Sequence, residues 1–375
     1  MPKRRGHNEG TIRQRADGRW EAMLSLPNGK RWSLYAKSRA EVQVKLRAAQ
    51  RDTESGLDLS VGQRLTVEKY LEKWLTSSVM HSVKTKTWEG YESIVRVRVN
   101  PRIGSRALAK LTTLDLQALY SDLLESGLTG RSVQHTHRVV RAALTQAIRW
   151  NLIARNPSDG ATAPRAKKSE MRVLSHLQVN TLLDTTREHP MHALYVLAVT
   201  TGMRQGELLG LRWEDIDLVE GKLAVRRALQ RQRAAGLVFV TPKTSGSSRS
   251  IVMSKHAVLA LSLHKDRQSF FRRDAGEQWQ DQGLVFANRT GGPLDPSHQT
   301  ATFKRALAKA TLPAIRFHDL RHTAATLLLS KGVHPKVVSE MLGHGSITLT
   351  LDTYSHLLPT MHDHAAATMD ALLSA

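Results

Sequence analysis

Residues 317–322 read Phe-His-Asp-Leu-Arg-His, and this stretch indicates the fold more strongly than any other. His318 and Arg321 stand at positions i and i+3, so a helix places both side chains on one face, where both can donate hydrogen bonds to one anionic oxygen. A zinc site is the competing interpretation, because His318 and His322 have the i, i+4 spacing of H-E-x-x-H. Asp319 replaces the glutamate of that motif, and Arg321 would put a positive charge beside the metal, so we expect neither metal nor cofactor.

A second cluster lies in residues 201–211, which read Thr-Gly-Met-Arg-Gln-Gly-Glu-Leu-Leu-Gly-Leu. Gly202 breaks an apolar helix, and the next helix is expected to begin near Arg204. An arginine beside the free backbone amides of a helix start suits an anionic oxygen, and Glu207, one turn further on, can hold the guanidinium in place. Taken alone, such an arginine is more often an ordinary surface residue at a turn.

A third cluster, residues 341–345, reads Met-Leu-Gly-His-Gly. Pro335 and Gly343 mark the two ends of a predicted helix, so His344 lies just past its C-terminus, where it could point into a cleft. Such a histidine is usually a helix cap. Tyr354 follows ten residues later in a segment predicted to be helical, where a tyrosine is more often part of the core.

Together these clusters resemble the signature of the tyrosine recombinases, also called the phage integrase family. The resemblance spans residues 172–360 in order and spacing, and it consists of Arg204, His318-x-x-Arg321, Leu342-Gly343-His344 and Tyr354. It implies that Tyr354 is a nucleophile that attacks a DNA phosphodiester and forms a 3′-phosphotyrosine intermediate, without metal or ATP.

The resemblance also implies a role for each matched side chain. Arg204 and Arg321 would bind phosphate oxygens, because guanidinium forks match these oxygens two at a time. His344 would donate a further hydrogen bond, and His318 would either accept the tyrosine proton or bond a phosphate oxygen. Glu207 is not part of the matched signature, but its spacing lets it support Arg204.

The family completes its site with a lysine in a β-hairpin. Lys243 is the candidate, since it lies between strands predicted at 237–241 and 249–253, and Lys222 is a weaker one. Such a lysine would protonate the departing 5′ oxygen, provided that cationic neighbours lower its pKa.

The N-terminal residues predict a small sheet followed by a helix. Short alternating runs over 11–15, 19–25 and 30–35, separated by turn signals, predict a three-stranded meander, and 38–51 has helical spacing. One sheet face could present a group of arginines to a major groove, although a solvated face explains them equally well. This group is Arg13, Arg15, Arg19 and Arg31.

Helical periodicity dominates residues 66–155 and predicts four or five helices. One of them opens with a capping-box pattern at Thr112 and Asp115, and a later helix opens with the same pattern at Ser175 and Gln178. Several basic side chains are available to bind phosphates, although charged residues are more often simply solvated. They are Lys84, Lys86, Arg131 and Arg138.

The predicted fold class is therefore multidomain. It combines a small α+β domain with a three-stranded sheet, an all-α domain, and a mixed, mainly helical domain with a small antiparallel sheet. The resemblance implies an arm-type DNA-binding domain at 1–60, a core-binding domain at 65–160 and a catalytic domain at 172–375.

Charge is the strongest signal in the composition of this 375-residue chain. Its 55 lysines and arginines exceed its 33 aspartates and glutamates, giving a net charge of +22 that is spread along the sequence. Such an excess favours a polyanionic partner. The chain has no cysteine, which excludes disulfides, a cysteine nucleophile and cysteine-ligated zinc. Its apolar runs are too short to cross a bilayer, and we expect no membrane partner.

The expected partners are double-stranded DNA at core and arm sites, further copies of the chain in a tetramer, and an accessory DNA-bending or directionality factor. The expected location is the cytoplasm of a prokaryote. Two alternatives stay open at this point: a type IB topoisomerase, which resembles the same chemistry, and a DNA-binding regulator that kept only the fold.

Overall fold

The computed structural model describes residues 10–26, 29, 31–54, 65–165, 171–241, 248–354 and 369–374, without the side chain of residue 52. The chain divides into two compact units, Met1–Lys168 and Ser169–Ala375. The first unit contains two separate hydrophobic cores.

The first core of unit one lies under a three-stranded antiparallel sheet. Its strands are β1 (Thr11–Gln14), β2 (Trp20–Ser25) and β3 (Arg31–Ala36), in the order β1-β2-β3. Alternate residues of β2 face helix α1 (Arg39–Glu54), so Ala22 and Leu24 are buried against it. The predicted meander and helix are present in the structure.

Two of the helical segments in the second core are interrupted by π-turns. Leu75–Val79 joins α2 to α3, and Val95–Val99 joins α4 to α5, so each pair forms one continuous helical segment. These helices are α2 (Val67–Trp74), α3 (Met80–Ser82), α4 (Thr85–Ile94), α5 (Asn100–Ile103), α6 (Thr113–Glu125) and α7 (Gly130–Arg149).

Local sequence explains where these helices begin. The side chain of Thr112 accepts a hydrogen bond from the backbone of Asp115, and the Asp115 carboxylate accepts one from the backbone of Thr112. This is the predicted capping box, which satisfies amides that a helix start leaves free. Leu116 and Leu144 are at most 2% exposed, so the apolar stripes of α6 and α7 form the interior of the bundle.

Unit two is mainly helical, and its central helix α9 is buried on all sides. The second predicted capping box, between Ser175 and Gln178, opens α8. The helices are α8 (His176–Thr185), α9 (His192–Thr201), α10 (Gln205–Leu209), α11 (Lys255–Ala275), α12 (Pro296–Lys309), α13 (Asp319–Ser330), α14 (Pro335–Leu342) and α15 (Ile347–Tyr354).

The strands of unit two form two small antiparallel sheets where one was predicted. The sequence also predicts a single strand over 222–229, which the structure divides into two strands that belong to different sheets. The break falls at Arg226 and Arg227, and Arg227 turns aside to pair with Asp215 at 2.6 Å. The strands are β4 (Ile216–Asp217), β5 (Lys222–Val225), β6 (Ala228–Gln232), β7 (Gly236–Val240) and β8 (Arg249–Val252), ordered β4-β5-β8 and β6-β7.

Candidate active site

Arg204 stands at the start of α10, where the chain reverses after α9. The reversal depends on Gly202, whose φ of 62° is in the left-handed region that glycine adopts without strain. The Arg204 backbone amide donates to Glu207 Oε2 at 3.0 Å, and its Nη1 donates to Glu207 Oε1 at 2.7 Å. Glu207 therefore fixes both the backbone and the guanidinium of Arg204, as its spacing predicts.

Arg321 lies in the first turn of α13 and is only 3% exposed. Its Nη1 donates to the Gly202 carbonyl at 2.8 Å, whereas its Nη2, also buried, has no hydrogen-bond partner among the described residues. Burial and then the neighbouring Arg204 lower the pKa of Arg321 to about 9, so the guanidinium stays charged at pH 7. A buried cation with a free donor provides a place for an anion.

Tyr354 is the last residue of α15, and its ring is 1% exposed in a small apolar cluster. The cluster is formed by Ala325, Leu329, Val338 and Leu342. Burial raises the pKa of Tyr354 to about 12, although the nearby Arg321 acts in the opposite direction. The phenol is therefore protonated in this structure.

The Tyr354 hydroxyl lies 2.8 Å from His322 Nδ1. The sequence analysis gives His318 two possible roles, accepting the tyrosine proton or bonding a phosphate oxygen, and considers His322 only as a possible zinc ligand; in the structure it is His322 that contacts the hydroxyl. His322 lies one helical turn after His318, and at that position on α13 its ring reaches the Tyr354 hydroxyl. The rings of His318 and His322 lie 5.2 Å apart, centre to centre.

His344 follows the left-handed Gly343, whose φ is 67°, at the end of α14. Its Nδ1 lies 2.7 Å from the hydroxyl of Thr350, which orients the ring. Burial and then Arg321 lower the pKa of His344 to about 4, and burial followed by His322 lowers the pKa of His318 to the same value. Both imidazoles are neutral at pH 7 and can donate one N–H each.

These lowered values predict how stability depends on pH. An unfolded histidine titrates near 6.5, so between about 4 and 6.5 the unfolded state binds more protons and the folded state loses stability as the pH falls. We expect His344 alone to account for about 1–2 kcal/mol of the stability lost between pH 7 and pH 5.

Denaturant unfolding at the two pH values measures this loss. His344→Gln should lose less stability than the wild type over the same interval, whereas His256→Gln, which alters an exposed histidine of α11, should lose as much. An equal loss in the wild type and in His344→Gln would contradict the prediction.

Arg249, at the start of β8, is a residue of this site that the sequence analysis missed. Its Nη2 donates to Glu207 Oε2 at 2.9 Å, and its Nε donates to the Met341 carbonyl at 2.7 Å. Burial raises the pKa of Glu207, but the hydrogen bond and charge of Arg249 and the hydrogen bonds from Arg204 outweigh burial, so the pKa lies below its ordinary value. The sequence did contain one signal for Arg249, because it is an arginine in a predicted strand that follows the candidate Lys243 closely.

The structure describes one of the two lysine candidates, Lys222, but not the other. Lys243 lies outside the described residues. Among the described residues, β7 pairs with β6 and β8 pairs with β5, so the expected hairpin of β7 with β8 is not seen in that part of the chain. Lys222 lies on β5 with its Nζ 3.6 Å from Glu220.

The arginines of the N-terminal sheet surround an acidic residue that the sequence analysis did not consider. Cross-strand pairing places Glu21 between Arg13 and Tyr35. Arg13 Nε lies 2.8 Å from Glu21 Oε2, Arg15 Nη1 lies 3.8 Å from Glu21 Oε1, and Tyr35 donates to Glu21 at 3.0 Å. Two predicted DNA-binding arginines thus share one buried carboxylate.

The other predicted DNA-binding residues lie on the surface of unit one. Arg19 pairs with Asp17 at 2.7 Å, and Arg31 is exposed at the start of β3. Lys84 is exposed before α4, and Lys86 pairs with Glu89 at 3.0 Å. Arg131 and Arg138 are exposed on α7, and their seven-residue spacing puts them on one face.

Two searches of the described residues bear on other classes of function. Within the ranges given above, no three side chains of the histidine, aspartate and glutamate types come together as a metal site would require. In the same part of the chain, no helix has both the length and the apolar character needed to span a bilayer.

Comparison with known proteins identifies two families. The model of the phage integrase family matches residues 172–361, and that of the phage integrase N-terminal SAM-like domain matches residues 66–124. A XerC-like tyrosine recombinase of Caldanaerobacter subterraneus subsp. tengcongensis is 28% identical over 365 residues, which cover 92% of this chain and 93% of that protein.

Two solved structures have the same fold. The Tn1549 transposon integrase in complex with a circular intermediate DNA has a TM-score of 0.70 and 25% identity, covering 82% of this chain and 99% of that one. The lambda integrase tetramer bound to a Holliday junction has a TM-score of 0.57 and 20% identity, covering 90% of this chain and 96% of that one.

Proposed function

Because the chain belongs to the phage integrase family and is a site-specific DNA recombinase, we propose that it breaks and rejoins DNA through a 3′-phosphotyrosine bond at Tyr354. The observation that carries this proposal is the position of Arg321. Its buried Nη2 has no partner among the described residues, and its charge acts on both Arg204 and Tyr354.

In the proposed complex the scissile phosphate lies between Arg204 and Arg321. Each guanidinium is already held on one side, by Glu207 and by the Gly202 carbonyl respectively, so little ordering remains when the phosphate binds. His344 and His318 each donate an N–H to a phosphate oxygen. These fixed donors stabilise the charge that builds up on the oxygens in the transition state.

The covalent step exchanges one phosphate ester for another. The Tyr354 oxygen bonds to phosphorus and its proton passes to His322, the imidazole 2.8 Å away. The bond from phosphorus to the 5′ oxygen breaks, and that oxygen takes a proton from Lys243. Because the new ester keeps the energy of the broken bond, a 5′-hydroxyl of a second duplex can reverse the reaction.

Strand exchange between two duplexes requires several copies of the chain. We propose a tetramer on DNA, assisted by an accessory DNA-bending or directionality factor, that integrates or excises a mobile element in a prokaryotic cytoplasm. Support comes from the similarity in fold to the lambda integrase, which was solved as a tetramer bound to a Holliday junction.

The test is to trap the covalent complex. Sequencing the DNA that flanks the gene, in search of a repeated core sequence, supplies a candidate site, and a duplex with a nick beside the cleavage position prevents religation. We expect an adduct that survives detergent, maps to Tyr354 and forms equally well with a chelator present. DNA binding without any adduct would support the regulator, and relaxation of plasmids without strand exchange would support the topoisomerase.

Removing residues 1–60 tests the proposed arm-binding role of the N-terminal sheet. We expect the shortened chain to lose binding to accessory arm sites while cleavage of core-site DNA changes by less than about tenfold. Gel shifts with separate arm and core duplexes measure the two affinities. A folded, shortened chain that no longer cleaves core DNA would place residues 1–60 in the catalytic function instead.

A further inference from the structure

Glu207 is shared by two arginines in this site. Arg204 Nη1 bonds to its Oε1 at 2.7 Å, and Arg249 Nη2 bonds to its Oε2 at 2.9 Å. Both Glu207 and the Arg249 side chain are well buried, at 4% and 7% exposure. Both oxygens of the Glu207 carboxylate therefore accept hydrogen bonds from arginines of the protein before any phosphate binds.

The same two arginines also contact the end of α14. Arg249 Nε donates to the Met341 carbonyl at 2.7 Å, and Arg204 Nη2 lies 3.5 Å from the Gly343 carbonyl. The final carbonyls of a helix have no partner within the helix and carry partial negative charge, so a guanidinium satisfies them well. The next residue after these contacts is His344.

Arg249 packs closely against Gly343. A Cβ atom at Gly343 would lie 2.9 Å from Arg249 Nη1, so the backbone of this turn and the guanidinium are in direct contact. Arg249 thus connects three parts of unit two: strand β8, the Glu207 carboxylate on α10 and the turn that carries His344.

Charge balance gives this arrangement a consequence for phosphate binding. With Arg204 alone, Glu207 would form a neutral pair and cancel much of the charge that the arginine offers to DNA. Arg249 adds a second cation on the far carboxylate oxygen, so the three groups keep a net positive charge. Arg204 can then be oriented by Glu207 without being neutralised by it.

We infer that Arg249 is a positioning residue of the recombinase, which balances Glu207 and holds the α14 end so that Arg204 and His344 face the scissile phosphate. This inference rests on the proposed function. It assigns Arg249 no contact with DNA and no part in proton transfer.

The experiment compares Arg249→Met, Arg249→Lys and the control Arg227→Met in the full chain. Arg227 makes an equivalent half-buried pair with Asp215 at 2.6 Å, outside the site. Single-turnover formation of the covalent complex on a nicked core duplex should slow about 100-fold in Arg249→Met, because small misplacements of catalytic groups cost about this much. DNA affinity and the thermal midpoint of the two methionine variants should be similar.

Arg249→Lys should recover part of the rate, since an ammonium can reach Glu207 or the Met341 carbonyl but lacks the fork that reaches both. A second measurement needs no DNA: NMR titration of protein that carries isotope-labelled histidine gives the pKa of His344. The pKa of His344 should rise above its value of about 4 in Arg249→Met, because Arg249 adds to the lowering by burial and Arg321, and it should stay unchanged in Arg227→Met.

The outcomes separate the two proposals. If the wild type forms no adduct, the proposed function fails, and the His344 titration still tests the positioning by Arg249. If the wild type forms the adduct and Arg249→Met matches its rate and its His344 titration, the positioning role is overturned. An Arg227→Met variant as slow as Arg249→Met would also overturn it, because loss of any buried ion pair would then suffice.

Discussion

Tyr354→Phe is expected to abolish the covalent complex while leaving the protein folded and bound to DNA. The phenol oxygen is the atom that forms the new ester, so its loss should slow cleavage by roughly 10⁴-fold or more, below detection. The remaining ring keeps its packing against Leu329 and Leu342, and only the hydrogen bond with His322 disappears. Stability should fall by about 1 kcal/mol.

Tyr195→Phe is a matched control for this variant. Tyr195 is another fully buried tyrosine of unit two, and its hydroxyl has no hydrogen-bond partner within the described ranges. We expect this variant to form the adduct at the wild-type rate. Adduct formation by Tyr354→Phe would show that another group attacks the phosphate.

Arg321→Lys should have the next largest effect, lowering the cleavage rate by about 10²–10³-fold. A lysine can replace either the bond to the Gly202 carbonyl or the bond to the phosphate, but its single ammonium cannot form the fixed fork that does both. The loss should appear in the single-turnover rate with saturating DNA, because the donor acts on the transition state.

Arg316→Lys is the control for Arg321→Lys. Arg316 precedes the same helix and pairs with Asp319 at 2.7 Å, and its side chain is exposed. Its rate should stay within a few-fold of the wild type. A similar rate for Arg321→Lys would mean that Arg321 has only a structural role, and the phosphate site would have to lie elsewhere.

Local sequence patterns predict much of this structure because their causes are local. The capping boxes at Thr112 and Ser175 depend on residues three positions apart, and both are present. The left-handed turn at Gly343 likewise follows from the need for glycine at a helix end. These features need no information about the rest of the chain.

Long-range pairing could not be predicted in the same way. The strands on either side of Lys243 are close in sequence, and only tertiary structure shows that β8 pairs with β5. The role of Arg249 is hidden for the same reason, because Glu207 and Met341 are 42 and 92 residues away from it. Glu21 was missed because its cross-strand neighbours determine its surroundings.

The burial of the Tyr354 hydroxyl has a consequence for DNA that the protein meets by chance. A phenol held at 1% exposure and bonded to an imidazole cannot meet a phosphate until α15 or its surroundings shift. A chain with a net charge of +22 attracts DNA of any sequence, yet few such encounters should end in a nick. We expect the frequency of that shift to limit how often DNA that is met by chance is cut.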